Sequence, residues 1–195
     1  MIEEFNLISK SGANIIVDTS LGTDEIFSKV TEENYQNYFD GSLQGISWKY
    51  NGKRIIISDK STDVFGYPTI DQKYIITIYK DESNQYKPPN NAVIYNLDGR
   101  IHRILKVPEL ASPKILEKIK EENHSNPPVE DNRYGYYGLG LQFKGFAWRK
   151  DREGNLVNAI SIQYVWEYGE WRFFDPKTGE FGELIDDWYQ SRGWR

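Results

Sequence analysis

The chain has 195 residues, no cysteine and a formal net charge of -5. This excludes a disulfide framework, a thiolate metal site and a cysteine nucleophile, and it argues against a general binder of polyanions, whose phosphate contacts need clustered Lys and Arg. The length fits a single domain over 1–195. With a mean hydropathy of -0.68, acids at Glu3 and Glu4 where a secretory leader places basic residues, and no apolar run near the roughly 18 residues of a membrane span, a soluble cytoplasmic protein without a membrane or nucleic-acid partner is expected.

Residues 1–22 alternate loosely, so Phe5, Leu7 and Ile15–Val17 read as two short strands around Ser11-Gly12. Thr23-Asp24-Glu25 resembles a helix start, with Thr23 as N-cap and acids in the first turn. Phe27, Val30, Asn34 and Tyr38 then fall at helical spacing. The pattern fits one helix to about Phe39, or a second, shorter helix capped at Thr31.

Strands follow. Ile46–Tyr50, the dipeptide Asn51-Gly52 and Arg54–Ile57 predict a hairpin with a two-residue turn. Lys73–Tyr79, rich in β-branched and aromatic residues, predicts another strand. Ala92–Ile104 predicts a second hairpin around Asp98-Gly99. A two-residue turn there sets Tyr95 across from His102, and a turn with a bulge sets Ile94 there.

Ser112 and Pro113 mark a helix through Lys120, closed near Asn123, with Ile115, Leu116 and Ile119 on one narrow face. The stretch 123–132, containing Pro127-Pro128, reads as an exposed loop and the best candidate for a subdomain boundary. Phe143–Arg149 pairs with Leu156–Tyr168 across Asp151–Gly154. Trp166–Tyr168 is expected to meet Trp171–Phe173 across Gly169-Glu170, and Phe174 turns through Asp175–Gly179 into Phe181. Leu184, Ile185, Trp188 and Tyr189 fit a short C-terminal helix ended by Gly193. The fold class is therefore α+β: antiparallel β-meander and hairpins, with short helices near the N-terminus, mid-chain and at the C-terminus.

The chemistry-bearing residues are few. His102 lies in a strand and His124 in a polar loop, and neither sits in a triad motif. The acid pairs Glu32-Glu33, Glu121-Glu122 and Asp186-Asp187 diverge by about 100° on helices, which suits solvated faces better than a chelate. No catalytic residue, metal ligand or cofactor is assigned. Gly135–Gly140 is glycine-rich, but a proline-containing loop precedes it and an apparent strand follows, the reverse of a phosphate-binding turn. In the same segment Tyr134, Tyr136 and Tyr137 alternate with glycine, a mixture of rigid amphipathic rings typical of protein-binding loops.

Ile160, Ile162, Tyr164, Trp166 and Tyr168 form a stripe that reads as the core side of one strand, with Ser161, Gln163 and Glu167 opposite. Six Trp, 14 Tyr and nine Phe leave rings to spare for a surface. The expectation is a non-enzymatic protein-interaction domain with a basic protein partner, of the bacterial immunity or inhibitor type. Abundant Ile, Asn, Lys and Tyr fit an A/T-rich, bacterial coding genome. The competing readings are a carbohydrate- or ligand-binding module using surface aromatics, and an enzyme with a dispersed carboxylate and histidine site.

Overall fold

The structure, a computed structural model, describes residues 2–23, 30–39, 43–80, 85–121, 141–165 and 168–189. It is built from antiparallel strands in three four-stranded sheets. Sheet 1 contains β1 (Glu3–Ser9), β2 (Asn14–Ile16), β3 (Leu43–Tyr50) and β4 (Lys53–Ser58) in the order β2-β1-β3-β4. Sheet 2 runs β5 (Val64–Pro68), β6 (Tyr74–Tyr79), β7 (Ala92–Asn96) and β8 (Ile101–Ile104) as a meander. Sheet 3 is a second meander of β9 (Gln142–Lys150), β10 (Leu156–Val165), β11 (Tyr168–Phe174) and β12 (Phe181–Tyr189). Two short helices are described, α1 (Glu32–Phe39) and α2 (Pro113–Glu121).

The local chemistry of the turns explains most of these pairings. In the β3–β4 hairpin Tyr50 pairs with Lys53, and Asn51 and Gly52 both adopt positive φ (50° and 71°), the backbone a two-residue turn requires. The β7–β8 turn takes the bulged form: the Gly99 N–H donates to the Asn96 carbonyl, and Gly99 has φ 85°. Tyr95 then pairs with Ile101 and Ile94 with Arg103, so His102 is the extra residue of a further bulge and lies opposite neither expected partner. In the β9–β10 turn the Asp151 carboxylate accepts the N–H groups of Glu153 and Asn155.

The described N-terminal helix is the shorter alternative, capped at Thr31, whose hydroxyl accepts the Asn34 N–H at 3.3 Å; residues 24–29, where a helix capped by Thr23 would begin, lie outside the described residues. Two expectations are corrected. The run from Leu184 to Tyr189 is part of strand β12, paired with β11 through a bulge at Ile185, and not a helix. An aromatic and β-branched segment gains more from a sheet edge with partners than from six residues of isolated helix. Gly169-Glu170 is not a turn. It lies inside β11, where Gly169 pairs with both Gln163 and Trp188. Strand β5 has no counterpart in the sequence reading. The candidate boundary at 123–132, the helix closure at Asn123 and His124 lie outside the described residues.

The three sheets share one buried core that includes Leu7, Ile46, Trp48, Tyr67, Ile76, Ile94, Phe143, Ile160, Ile162 and Phe174. Polar side chains tie sheet to sheet at its margins. Trp48 Nε1 donates to the Leu97 carbonyl at 2.8 Å, and the Tyr67 hydroxyl to the Leu21 carbonyl at 2.9 Å. Trp148 Nε1 donates to the Pro68 carbonyl at 2.9 Å. Asn91, fully buried, gives its amide to the carbonyls of Tyr79 and Phe143 and accepts the Phe143 N–H, which locks sheet 2 to sheet 3. Among the described residues no helix is long and apolar enough to cross a membrane, which leaves β-barrels untouched.

Candidate functional site

The side chains of sheet 3 divide between two faces by the period-two rule. Ile160, Ile162 and Tyr164 of β10 face the core, as expected from their stripe. So do Glu170 and Arg172 of β11, since Glu170 pairs with Ile162 and Arg172 with Ile160. Glu170 is a fully buried carboxylate, and its partners account for it completely. One oxygen accepts the Tyr164 hydroxyl at 3.0 Å and Arg172 Nη1 at 3.1 Å. The other accepts the N–H groups of Ala111 and Ser112 at 3.1 and 3.0 Å.

Arg172 spends its remaining donors on the carbonyls of Gly182 and Glu109. Ser112 accepts the Ile115 N–H as the cap of α2 and donates to Asp187 at 2.8 Å, whose other oxygen takes Lys114. Burial opposes the Asp187 charge, yet the hydrogen bonds from Lys114 and Ser112 outweigh it and hold the carboxyl below its ordinary range. Burial, reinforced by the Glu170 charge, pushes the Tyr164 hydroxyl far up. The cluster satisfies its own polar groups and so acts as a clamp that fastens the start of α2 to sheet 3.

The outer face of sheet 3 is different in kind. Trp171 and Phe173 of β11 and Trp188 of β12 lie on it, all part-exposed. Each ring lies over a glycine. A Cβ on Gly169 would sit 1.8 Å from Trp188 Cζ2, and one on Gly182 2.3 Å from Phe173 Cδ1. Trp171 reaches across β10 to within 3.9 Å of the Cβ position at Gly145. On the same face lie Ala147, Ala159 and Ser161, small residues that are 6%, 0% and 5% exposed. The Arg149 guanidinium stacks on the Trp171 ring at 4.0 Å. Two buried donors find no acceptor among the described residues, Gln142 Nε2 and Arg149 Nε. Arg149 and Gln142 both belong to this face, since Arg149 pairs with Val157 and Gln142 with Gln163.

At the end of β10 the face turns into a groove of about 310 Å3 between sheets 2 and 3. Phe173 and Val157 are common to both. The groove adds Tyr74, Leu156, Asp71 and Asp175. Its two sides are pinned together: the Ile70 N–H donates to Asn158 Oδ1 at 3.1 Å, and His102 Nε2 lies 2.9 Å from the Lys177 carbonyl. The His102 ring packs on Tyr74 with centroids 4.7 Å apart. It serves as a strut, and among the described residues its hydrogen-bond partner is the Lys177 carbonyl and neither a nucleophile nor an orienting acid. Partial burial opposes ionisation of Asp71, but the Thr69 hydroxyl and the N–H and ammonium of Lys73 outweigh it and keep the carboxyl below its usual range.

The residues singled out from sequence fare unevenly. Tyr134, Tyr136 and Tyr137 lie outside the described residues. Of the six tryptophans that left rings to spare for a surface, Trp48 and Trp148 are buried and structural. Trp171, Trp188 and Arg149 have no role in the sequence reading as surface residues, and the structure brings them to one face of sheet 3. Alternating glycine and aromatic residues on paired strands, such as Gly169 against Trp188, are the pattern that announces it. Among the described residues no group of three or more His, Asp and Glu is placed to hold a metal ion.

No family model and no curated protein matches the sequence. A chain in a solved structure described as "Structure of Tne2 in complex with Tni2" is similar in fold, with a TM-score of 0.59 over 94% of this chain and 97% of that one, at 10% identity. The antiparallel β architecture thus has a counterpart along nearly the whole chain. At that identity the likeness is one of fold.

Proposed function

We propose that the chain is a non-enzymatic protein-interaction domain that covers the surface of a basic protein partner, in the manner of a bacterial immunity or inhibitor protein. The observation that carries this reading is the outer face of sheet 3. Two tryptophans, a phenylalanine and a stacked arginine are the residue types that dominate binding energy at interfaces. They are held flat and rigid by the glycines beneath them, so little side-chain entropy is lost on docking.

Two further observations support the reading. The similar chain comes from a structure of two proteins in complex. The net charge of -5 steers a basic partner and repels acidic ones. Tyr134, Tyr136 and Tyr137 belong to the proposal as a second contact set, whose replacement by alanine is expected to weaken binding with little change in Tm. A sugar-binding reading draws on the same tryptophans, but Arg149 already covers a face of Trp171 that a sugar ring needs for stacking.

Affinity capture from the native host, followed by mass spectrometry, identifies the partner. Trp171→Ala and Trp188→Ala are each expected to weaken the purified complex by at least about 2 kcal/mol, roughly thirtyfold in Kd. Unchanged affinity in both variants contradicts the assignment of this face.

A further inference from the structure

The groove beside the paved face has a chemistry of its own, and the geometry points to it as the receptor for a single arginine side chain of the partner protein. This inference rests on the interaction reading above and deepens it. The occupant follows from the walls. Tyr74 and Phe173 offer ring surfaces to a planar cation, while Leu156, 49% exposed, and Ile70 offer aliphatic surface to its stem. Asp71 and Asp175 stand on opposite sheets, one in the turn before β6 and the other in the turn after β11. Each is fixed by its own turn: Asp71 Oδ1 accepts the Thr69 hydroxyl at 2.7 Å and the Lys73 N–H at 3.2 Å, and Asp175 accepts the Lys177 N–H at 2.9 Å on one oxygen and the Thr178 hydroxyl at 3.1 Å on the other.

Those bonds leave lone pairs on both carboxylates, and a guanidinium with five N–H donors bridges two such groups as an ammonium does not. Two cations already stand nearby. Lys177 lines the groove, and Lys73 lies 3.4 Å from Asp71 Oδ2 with a side chain 74% exposed, a solvent-screened pair that an incoming arginine displaces at little cost. The site is preformed, because the Asn158–Ile70 and His102–Lys177 contacts hold the two sheets at fixed separation. It is continuous with the outer face of sheet 3 through Phe173 and Val157, so a partner seated on the tryptophans reaches it with an adjacent residue.

The test uses the full chain, 15N-labelled, titrated with N-acetyl-arginine amide and, separately, with its neutral isostere N-acetyl-citrulline amide. Arginine is expected to give saturable shifts at residues 71–74, 156–158 and 173–177, and citrulline none over the same range. D71N combined with D175N abolishes the response. Asparagine keeps an oxygen to accept the turn N–H groups, so an unchanged Tm confirms that the fold is intact. Equal shifts with both probes, no shifts with arginine, or shifts that survive in D71N/D175N each overturn the groove assignment.

The same double variant separates this inference from the wider one. A captured partner that binds D71N/D175N as tightly as the parent leaves the interaction domain standing and removes the arginine site. A loss of at least about tenfold in affinity, suppressed by added salt, is the expected result.

Discussion

Gly169 shows how one residue sets a surface. With no Cβ it lets the Trp188 indole lie against the backbone of β11, where any side chain would meet the ring at 1.8 Å. Gly169→Ala is therefore expected to lever Trp188 off the sheet. Tryptophan emission should shift to the red, and partner affinity should fall with it, while the β-sheet circular dichroism is retained. Unaltered emission would show that the ring does not depend on the glycine. The Arg149–Trp171 stack is a smaller device. Arg149→Ala removes a cation–π contact of about 0.5–1 kcal/mol and frees one face of Trp171.

Glu170 is the residue whose loss the fold tolerates least. Glu170→Ala leaves the Arg172 guanidinium buried without its carboxylate and two backbone N–H groups unpaired. The expected cost is about 3–5 kcal/mol in urea unfolding, far above the value for an exposed ion pair such as Arg100–Asp98. A loss under about 1 kcal/mol would show that the clamp is not closed in solution.

At the scale of elements, the sheets are separable units of sequence joined by a few polar ties. Asn91 is the strongest of these. Asn91→Ala strands the Phe143 N–H and two carbonyls in the core, and a destabilisation on the order of 3 kcal/mol is expected by chemical denaturation. Hydrogen exchange should quicken along β6, β7 and β9 together.

The hairpins are legible in the sequence because their turns are encoded locally: Asn51-Gly52 by two residues that adopt a left-handed backbone, and Asp98-Gly99 and Asp151–Gly154 by a left-handed glycine together with an aspartate that caps the turn. Strand β12 was not legible. Its Leu184, Ile185 and Trp188 sit at spacings that suit a helix equally well, and what decides is pairing with β11, which no local pattern contains. The expected turn at Gly169-Glu170 fails for the same reason: glycine there permits a close approach by Trp188 from another strand, a use that a local pattern does not distinguish from a bend. The paved face escaped for this reason too, since Trp171, Phe173 and Trp188 become neighbours only when β11 and β12 pair.

For the whole molecule, the tyrosines set an alkaline limit. Burial raises the hydroxyls of Tyr67, Tyr95 and Tyr164 far above their usual value, and pushes Tyr79 up to about 12 from 10.0. The folded state therefore holds protons that the unfolded chain releases near pH 10. Stability is complete below that point and is lost as the pH climbs from about 10 to 12 and beyond. A midpoint of urea unfolding that is flat from pH 7 to about 9.5 and falls steeply above is the expected profile.

Binding of a protein by the outer face of sheet 3 is tested most directly by the affinity of the purified complex, measured by calorimetry for the parent chain and for Trp171→Ala/Trp188→Ala at matched Tm. The expected result is one stoichiometric protein bound by the parent and a loss of at least about a hundredfold in the double variant. A stoichiometric partner that binds the double variant as well as the parent would contradict the claim, as would a host that yields no stoichiometric partner at any salt concentration.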